Sequence, residues 1–311
     1  MRAVVSVTDN AWAAYLRDRP HLTEANFWLP TATTSFRALS PGEPFLFKTH
    51  WPENQMVGGG FFSGYGALSV HEAWELFGEG NGVASEEALA AAIASYRKQP
   101  PDPQMKIGCV LLRDLFFAPV GRALPGPEDF ARNIVRFKGY DLAGSGHHVD
   151  AIFSSLLDSS EIRVSDEYTG VASLVPGPVF GRDRLTKQRI GQQAFKGLVL
   201  TSYDRRCAVT GNHIQPTLEA AHIQPVSRDG RNLVSNGLLL RSDVHTLFDL
   251  GYLGINLRNE LQVSPRLRSD WGNGQEFYDR AGQPIVLPRN SSDRPAAEFV
   301  EWHLDEVFLS A

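Results

Sequence analysis

Residues 207–249, CAVTGNHIQPTLEAAHIQPVSRDGRNLVSNGLLLRSDVHTLFD, decide how the rest of the chain is read. Three polar residues stand in an otherwise apolar frame. His222 follows the strand-like LEAA at 218–221. Asn236 comes fourteen residues later, directly before the apolar run 237–240. His245 lies nine residues further on in a helix-like segment, with Asp249 one turn beyond it. In a helix, side chains at i and i+4 leave the same face, so His245 and Asp249 share one side.

The order AHIQP, NGLLLR, DVHTLFD resembles the ββα-metal fold of HNH endonucleases, and specifically those of modification-dependent, type IV-like restriction enzymes. The residue types suit hydrolysis of a phosphodiester. A neutral imidazole takes a proton from water near neutral pH, which fits His222 as general base. Two ligands on one helix face, His245 and Asp249, suit a single divalent ion, Mg²⁺, Mn²⁺ or another, acting as Lewis acid on the phosphate. Asn236 both donates and accepts hydrogen bonds. The resemblance implies that it braces the loop carrying the base.

One position departs from the pattern. Many members of the superfamily carry Asp or His just before the catalytic histidine, where this chain has Ala221. Glu219 or Asp243 can supply the missing oxygen, or water and the phosphate can. Taken singly, each residue has a plainer reading. Asn236-Gly237 alone is a turn signal, and Asp249 before Leu250-Gly251 can simply end a helix. The joint order favours the nuclease.

Upstream, Phe195, Leu198, Val199 and Tyr203 fall at helical spacing. This stretch resembles the helix that precedes the core of restriction-type HNH domains. Between Arg182 and Gly211 there are seven Lys or Arg against two Asp, and Arg205 and Arg206 are candidate phosphate contacts.

The chain has 311 residues, 42% apolar and 21% charged, enough for two ordinary domains. A net charge of −5 argues against wholesale coating by nucleic acid but permits a local basic groove. No run of eighteen apolar residues and no signal-peptide pattern is present, so no membrane association and a cytoplasmic location are expected. Cys109 and Cys207 are the only cysteines, which rules out a four-cysteine structural zinc. Cys207 is expected in the core.

Toward the N-terminus, short strands and helices interleave without a regular βαβ repeat, which suggests α+β with a small curved sheet or barrel. Helices are expected at 9–19, 69–78 and 85–98, the last with an N-cap serine, and a buried strand at 106–117. PEDFARNIVRF (127–137) reads as a short helix, and RFKGYDLAGSGHH (136–148) as a loop. The FW-P of Phe27, Trp28 and Pro30, PGEPFLFK at 41–48 and VGGGFFSGY at 57–65 resemble the PUA-like barrels, which include EVE, ASCH and SRA modules. That resemblance implies a reader of modified bases, some members holding a flipped base among aromatic rings. Candidate nucleic-acid contacts are Trp28, Lys48, His50, Trp51, Tyr65 and Tyr140. The C-terminal AAEFVEWHLDEVFL reads as a helix buried through Phe299, Trp302 and Val307.

The expectation is therefore an α+β chain: a PUA-like domain at 1–165, a linker at 166–188 rich in Pro, Gly and charge, and an HNH domain with a C-terminal helix at 189–311. It is expected to cut DNA bearing modified bases; a homodimer would supply the second cut, because one HNH site cuts one strand. The alternatives are a non-cutting reader with a degenerate HNH fold, favoured by Ala221, or an HNH nuclease that recognises unmodified DNA.

Overall fold

The computed structural model describes residues 1–33, 35–160 and 191–310, so the expected linker at 166–188 lies outside the described residues. The chain divides into two units, Met1–Ala194 and Phe195–Ala311. The architecture is α+β.

In the first unit the elements are β1 (Arg2–Thr8), α1 (Asn10–Arg17), β2 (Glu24–Leu29), β3 (Pro44–Thr49), β4 (Gln55–Ser69), α2 (Val70–Phe77), α3 (Glu86–Arg97), β5 (Lys106–Phe117), β6 (Leu124–Pro125), β7 (Phe137–Asp141) and α4 (His147–Ser159). The strands form one sheet in the order β2-β5-β4-β3-β1-β7, with β6 against β4. Only the β1–β3 pairing is parallel. Because β side chains alternate between faces, β3 feeds two cores. Leu46 joins Val5, Met56, Phe61 and Phe116, and Phe153 of α4 packs with them. Phe45 and Phe47 face the other way, onto Trp12 and Leu16 of α1. Both faces are therefore covered, and β3 is buried along its whole length.

Glycine serves close approach in β4. A Cβ on Gly59 would lie 2.6 Å from the Phe116 ring and 2.8 Å from the Phe45 carbonyl oxygen. The helix starts are capped as their sequences dictate. Ser69 and Glu72 form a reciprocal capping box on α2, and the Ser85 hydroxyl accepts the Ala88 N–H on α3.

Two local expectations are corrected here. Residues 127–137 form no helix. Phe130 N–H donates to the Pro127 carbonyl and Ile134 N–H to the Ala131 carbonyl, two separate tight turns that tuck Phe130 and Ile134 onto the core. The segment 136–148 is not one loop either. Pairing with β1 recruits 137–141 as β7, and His147 begins α4 after a turn closed by Gly144 and Gly146 N–H groups on the Asp141 carbonyl.

Across the boundary runs α5 (Gln192–Ser202), and the second unit continues with β8 (Leu218–His222), β9 (Gly237–Arg241), α6 (Ser242–Asp249), β10 (Leu253–Ile255), β11 (Leu261–Val263), α7 (Arg266–Trp271), α8 (Gln275–Tyr278) and α9 (Ala297–Glu306). β8 and β9 pair antiparallel with His222 opposite Gly237, and α6 follows β9 without a break. This is a ββα unit. The Cys207 sulfur accepts N–H bonds from Thr210 (3.4 Å) and Arg241 (3.3 Å), so this buried thiol ties the preceding turn to the end of β9.

Gly237 is extended (φ −123°), so Asn236-Gly237 is not the turn its dipeptide suggests. The glycine is there for room. A Cβ would lie 2.6 Å from Val199 and 3.0 Å from the Phe195 ring, so its absence lets α5 lie against β9. On α9 the buried face is Phe299, Val300 and His303, while Trp302 is half-buried and Val307 lies beyond the helix end. The expected 299/302/307 face is thus corrected. His303 turns inward because its Nε2 reaches the Phe248 carbonyl (3.1 Å) while its ring stacks on Phe248 at 3.8 Å.

Candidate active site

Three elements of the ββα unit carry the polar residues. His222 ends β8, Asn236 immediately precedes β9, and His245 and Asp249 sit one turn apart on α6. The His222 ring lies flat on Phe195, centroids 4.1 Å apart and planes 9° from parallel. Its Nε2 is 2.7 Å from Oδ1 of Asn232, a buried residue of the intervening loop.

Asn236 is fully buried. Its Oδ1 accepts the Gln224 N–H, and its Nδ2 donates to the carbonyls of Gln224 and Arg231, each at 2.9 Å. One carboxamide thus grips both ends of the loop, two residues beyond His222 and one residue before Asn232. A buried Asn can use nearly all its hydrogen-bonding capacity in this way, and an Asp or Leu cannot.

His245 stands between two carboxylates. Its Nδ1 is 2.6 Å from Glu219 Oε2 and its Nε2 is 3.3 Å from Asp249 Oδ2. Burial pushes the Asp249 carboxyl up from its ordinary pKa; Glu219 adds to this, while His245 and His222 pull it back. Asp243, the other candidate oxygen, is paired with Arg241 through two bonds of 2.6 and 2.7 Å. Ala221 is fully buried opposite Leu238, so that position faces the core. Among the described residues no group of three or more His, Cys, Asp or Glu is arranged to hold a metal ion.

The first unit contains a cavity of about 760 Å³ lined by Thr8, Asp9, Trp12, Trp28, His50, Tyr96, Arg97 and Arg136, among others. Trp28 is half-buried, its indole N–H donates to the Asn81 carbonyl (3.1 Å), and its ring meets Tyr96 edge-on at 5.8 Å. Of the six candidates in this unit, Trp28 and His50 line the cavity. Lys48 is buried; its ammonium donates to the Thr49 carbonyl (3.0 Å) and burial lowers its pKa. Tyr140 is buried and donates to Asp129, whose carboxyl stays ionised to about pH 2 because bonds from Lys138, His148 and Tyr140 outweigh its burial. Tyr65 is half-buried, with its hydroxyl 2.8 Å from the Thr33 N–H it accepts. Trp51 is exposed beneath the Arg132 guanidinium at 3.7 Å. Arg205 is half-buried and Arg206 exposed, both in the turn after α5.

Sequence reasoning missed Asn232, Thr8 and Tyr96. The Thr8 hydroxyl is buried and has no hydrogen-bond partner among the described residues. No periodicity marks these positions. The clue for Asn232 was weak: an amide following the Asp229-Gly230 turn in a loop bounded by two site residues.

Similarity to known proteins bears on the second unit. No curated protein matches the chain. One solved structure that resembles it is a modification-dependent TagI restriction endonuclease, 14% identical, with a TM-score of 0.27, covering 85% of this chain and 61% of that one. The present chain thus spans about three fifths of that enzyme's length. Another is a variant of the ZmASCH protein from Zymomonas mobilis, 11% identical, with a TM-score of 0.34, covering 48% of this chain and 95% of that one. Residues 207–256 match the family model of the HNH endonucleases. With His222, Asn236, His245 and Asp249 placed on a ββα unit, these residues form an HNH endonuclease domain.

Proposed function

We propose that this protein is a metal-dependent DNA endonuclease, acting in the cytoplasm on DNA with modified bases, in which an N-terminal PUA-like unit reads the base and the HNH unit cuts. The observation that carries the cutting is the grouping of His222, His245 and Asp249 on one ββα unit, with His245 Nε2 3.3 Å from Asp249 Oδ2.

In this reading His222 takes the proton from the attacking water. Asn236 holds the loop so that the imidazole keeps its place through the reaction. His245 Nε2 and Asp249 would hold the divalent ion, and Glu219 on His245 Nδ1 orients that imidazole, as carboxylates do behind metal-bound histidines. The donor set fits such an ion: an imidazole nitrogen lies 3.3 Å from a carboxylate oxygen on the same helix face. Few protein ligands, one of them a carboxylate, with water and phosphate supplying the others, suit an ion that keeps several waters. Once bound, the ion would neutralise the scissile phosphate and stabilise the leaving oxygen.

The cavity of the first unit supports base reading. Extracting a base costs a few kcal/mol, and stacking on an aromatic face returns about 1–3 kcal/mol. Trp28 and Tyr96 offer aromatic surface, and the Thr8 hydroxyl offers a buried hydrogen-bonding group. A homodimer would bring two sites to one duplex and cut both strands.

The test is cleavage of matched DNAs carrying cytosine, 5-methylcytosine, 5-hydroxymethylcytosine, glucosylated cytosine or phosphorothioate, in Mg²⁺ or Mn²⁺. The expected result is cutting of one modified class by the wild type, none by His222→Ala, and none with chelator present. Equal cutting across the panel removes the reader but leaves the nuclease. Binding without cutting in either ion favours the degenerate reader instead.

A further inference from the structure

We propose that Asn232 is a positioning residue of the nuclease site: its side-chain oxygen holds the His222 imidazole in the tautomer that presents Nδ1 as the base. This rests on the reading of His222 as general base.

An imidazole that must take a proton needs its plane, its rotation and its tautomer fixed. The stacked Phe195 ring, 4.1 Å away and 9° from parallel, fixes the plane. Asn232 fixes the other two. A carboxamide oxygen only accepts, so Oδ1 at 2.7 Å requires the hydrogen to sit on Nε2. A neutral imidazole has one N–H, so the lone pair that takes a proton is then on Nδ1.

The surroundings of Asn232 point the same way. Its side chain is buried, and its Nδ2 has no hydrogen-bond partner among the described residues. A buried unpaired donor is costly, so packing alone would favour leucine here. What the amide provides is its oxygen, which faces the histidine. Asn232 is itself held in place, because Asn236 binds the carbonyl of the preceding residue, Arg231, at 2.9 Å. The same Asn236 side chain binds both the N–H and carbonyl of Gln224, two residues past His222. The asparagine of the motif therefore acts on the base through two routes, and one of them runs through Asn232.

The full-length chain serves as the test, as wild type, Asn232→Leu, Asn232→Asp and His222→Ala. Two-bond ¹H–¹⁵N spectra of the histidine rings read the tautomer directly, with His222 assigned by its loss in His222→Ala. The wild type is expected to show Nε2–H, Asn232→Leu a mixture, and Asn232→Asp, which keeps an acceptor oxygen, Nε2–H again. On whichever DNA of that panel the wild type cuts, with Mg²⁺ or Mn²⁺, Asn232→Leu is expected to lower kcat about tenfold to a hundredfold at unchanged KM, as loss of an orienting partner typically does, with no fall in Tm. Asn232→Asp should recover most of that rate. An Nδ1–H wild-type ring overturns the proposal, as does an Asn232→Leu variant with wild-type kcat. So does a loss of rate that tracks a lower Tm while the tautomer stays unchanged. If His222→Ala cuts as the wild type does, the nuclease reading falls on its own account and the role of Asn232 falls with it.

Discussion

Replacing Asn236 with alanine removes three hydrogen bonds from a fully buried side chain, two to Gln224 and one to Arg231. Each intramolecular hydrogen bond contributes about 1 kcal/mol net, so the loop should lose roughly 3 kcal/mol. That energy is concentrated in one place, because all three bonds close the same loop between β8 and β9. Local opening should therefore become about a hundredfold more frequent, at 1.36 kcal/mol per decade. Hydrogen exchange reads this at the Gln224 amide, which donates to Asn236 Oδ1. The amide of Ala208, which donates to the Leu239 carbonyl, serves as the control and should change little. Asn236→Asp keeps one acceptor but turns a buried carboxylate oxygen toward two carbonyls, so it should be at least as damaging. Cleavage should fall with loop order in both variants. Unchanged exchange at Gln224 in Asn236→Ala would show that the loop is held by other means, and the bracing role would be refuted.

Gly237→Ala should destabilise by about 1–3 kcal/mol, as overpacking does, because the added methyl meets Val199 and Phe195. It should also slow cleavage, since the ring displaced is the one stacked on His222; a variant with wild-type Tm and rate would contradict the packing argument. His303 is buried, which pushes its pKa down to about 4 from an ordinary 6.5. The unfolded chain then binds a proton that the folded one refuses, so stability present above about pH 6.5 should be lost as pH falls toward 4, by about 3 kcal/mol. Urea midpoints of the wild type and His303→Leu should converge on acidification, and a constant difference would refute this. Trp28→Ala should weaken binding of modified DNA by about 1–3 kcal/mol, measured by fluorescence anisotropy. Its cleavage rate at saturating DNA should be retained, and unchanged affinity would remove Trp28 from the reader.

The ββα unit was legible because each of its parts is local. LEAAH reads as a strand, NGLLLR is a short apolar run, and DVHTLFD repeats at helical spacing, so the motif residues ride on three short consecutive elements. The first unit was less legible. Its strands were readable one by one, but Lys48 and Tyr140, candidates for DNA contact, sit inside the fold. For Lys48 the reason is that both faces of the sheet are covered at β3, so alternation there does not distinguish a core face from a solvent face; on β7 only Tyr140 is buried, a choice of face set by the pairing with β1. The turns at 127–137 were read as a helix because the pairing of the next residues with β1, more than a hundred positions earlier, has no local signature.

By itself the sequence determined the chemistry available to this protein: which imidazoles, amides and carboxylates it owns, and on which short elements they ride. The tertiary structure alone decided which of them work together. Asn232 came to face His222 because Asn236 closes the loop between them, and Gly237 became a site of close packing because α5 lies across it. Residue type and periodicity act over one or two turns of chain, whereas these contacts depend on the path the backbone takes through space.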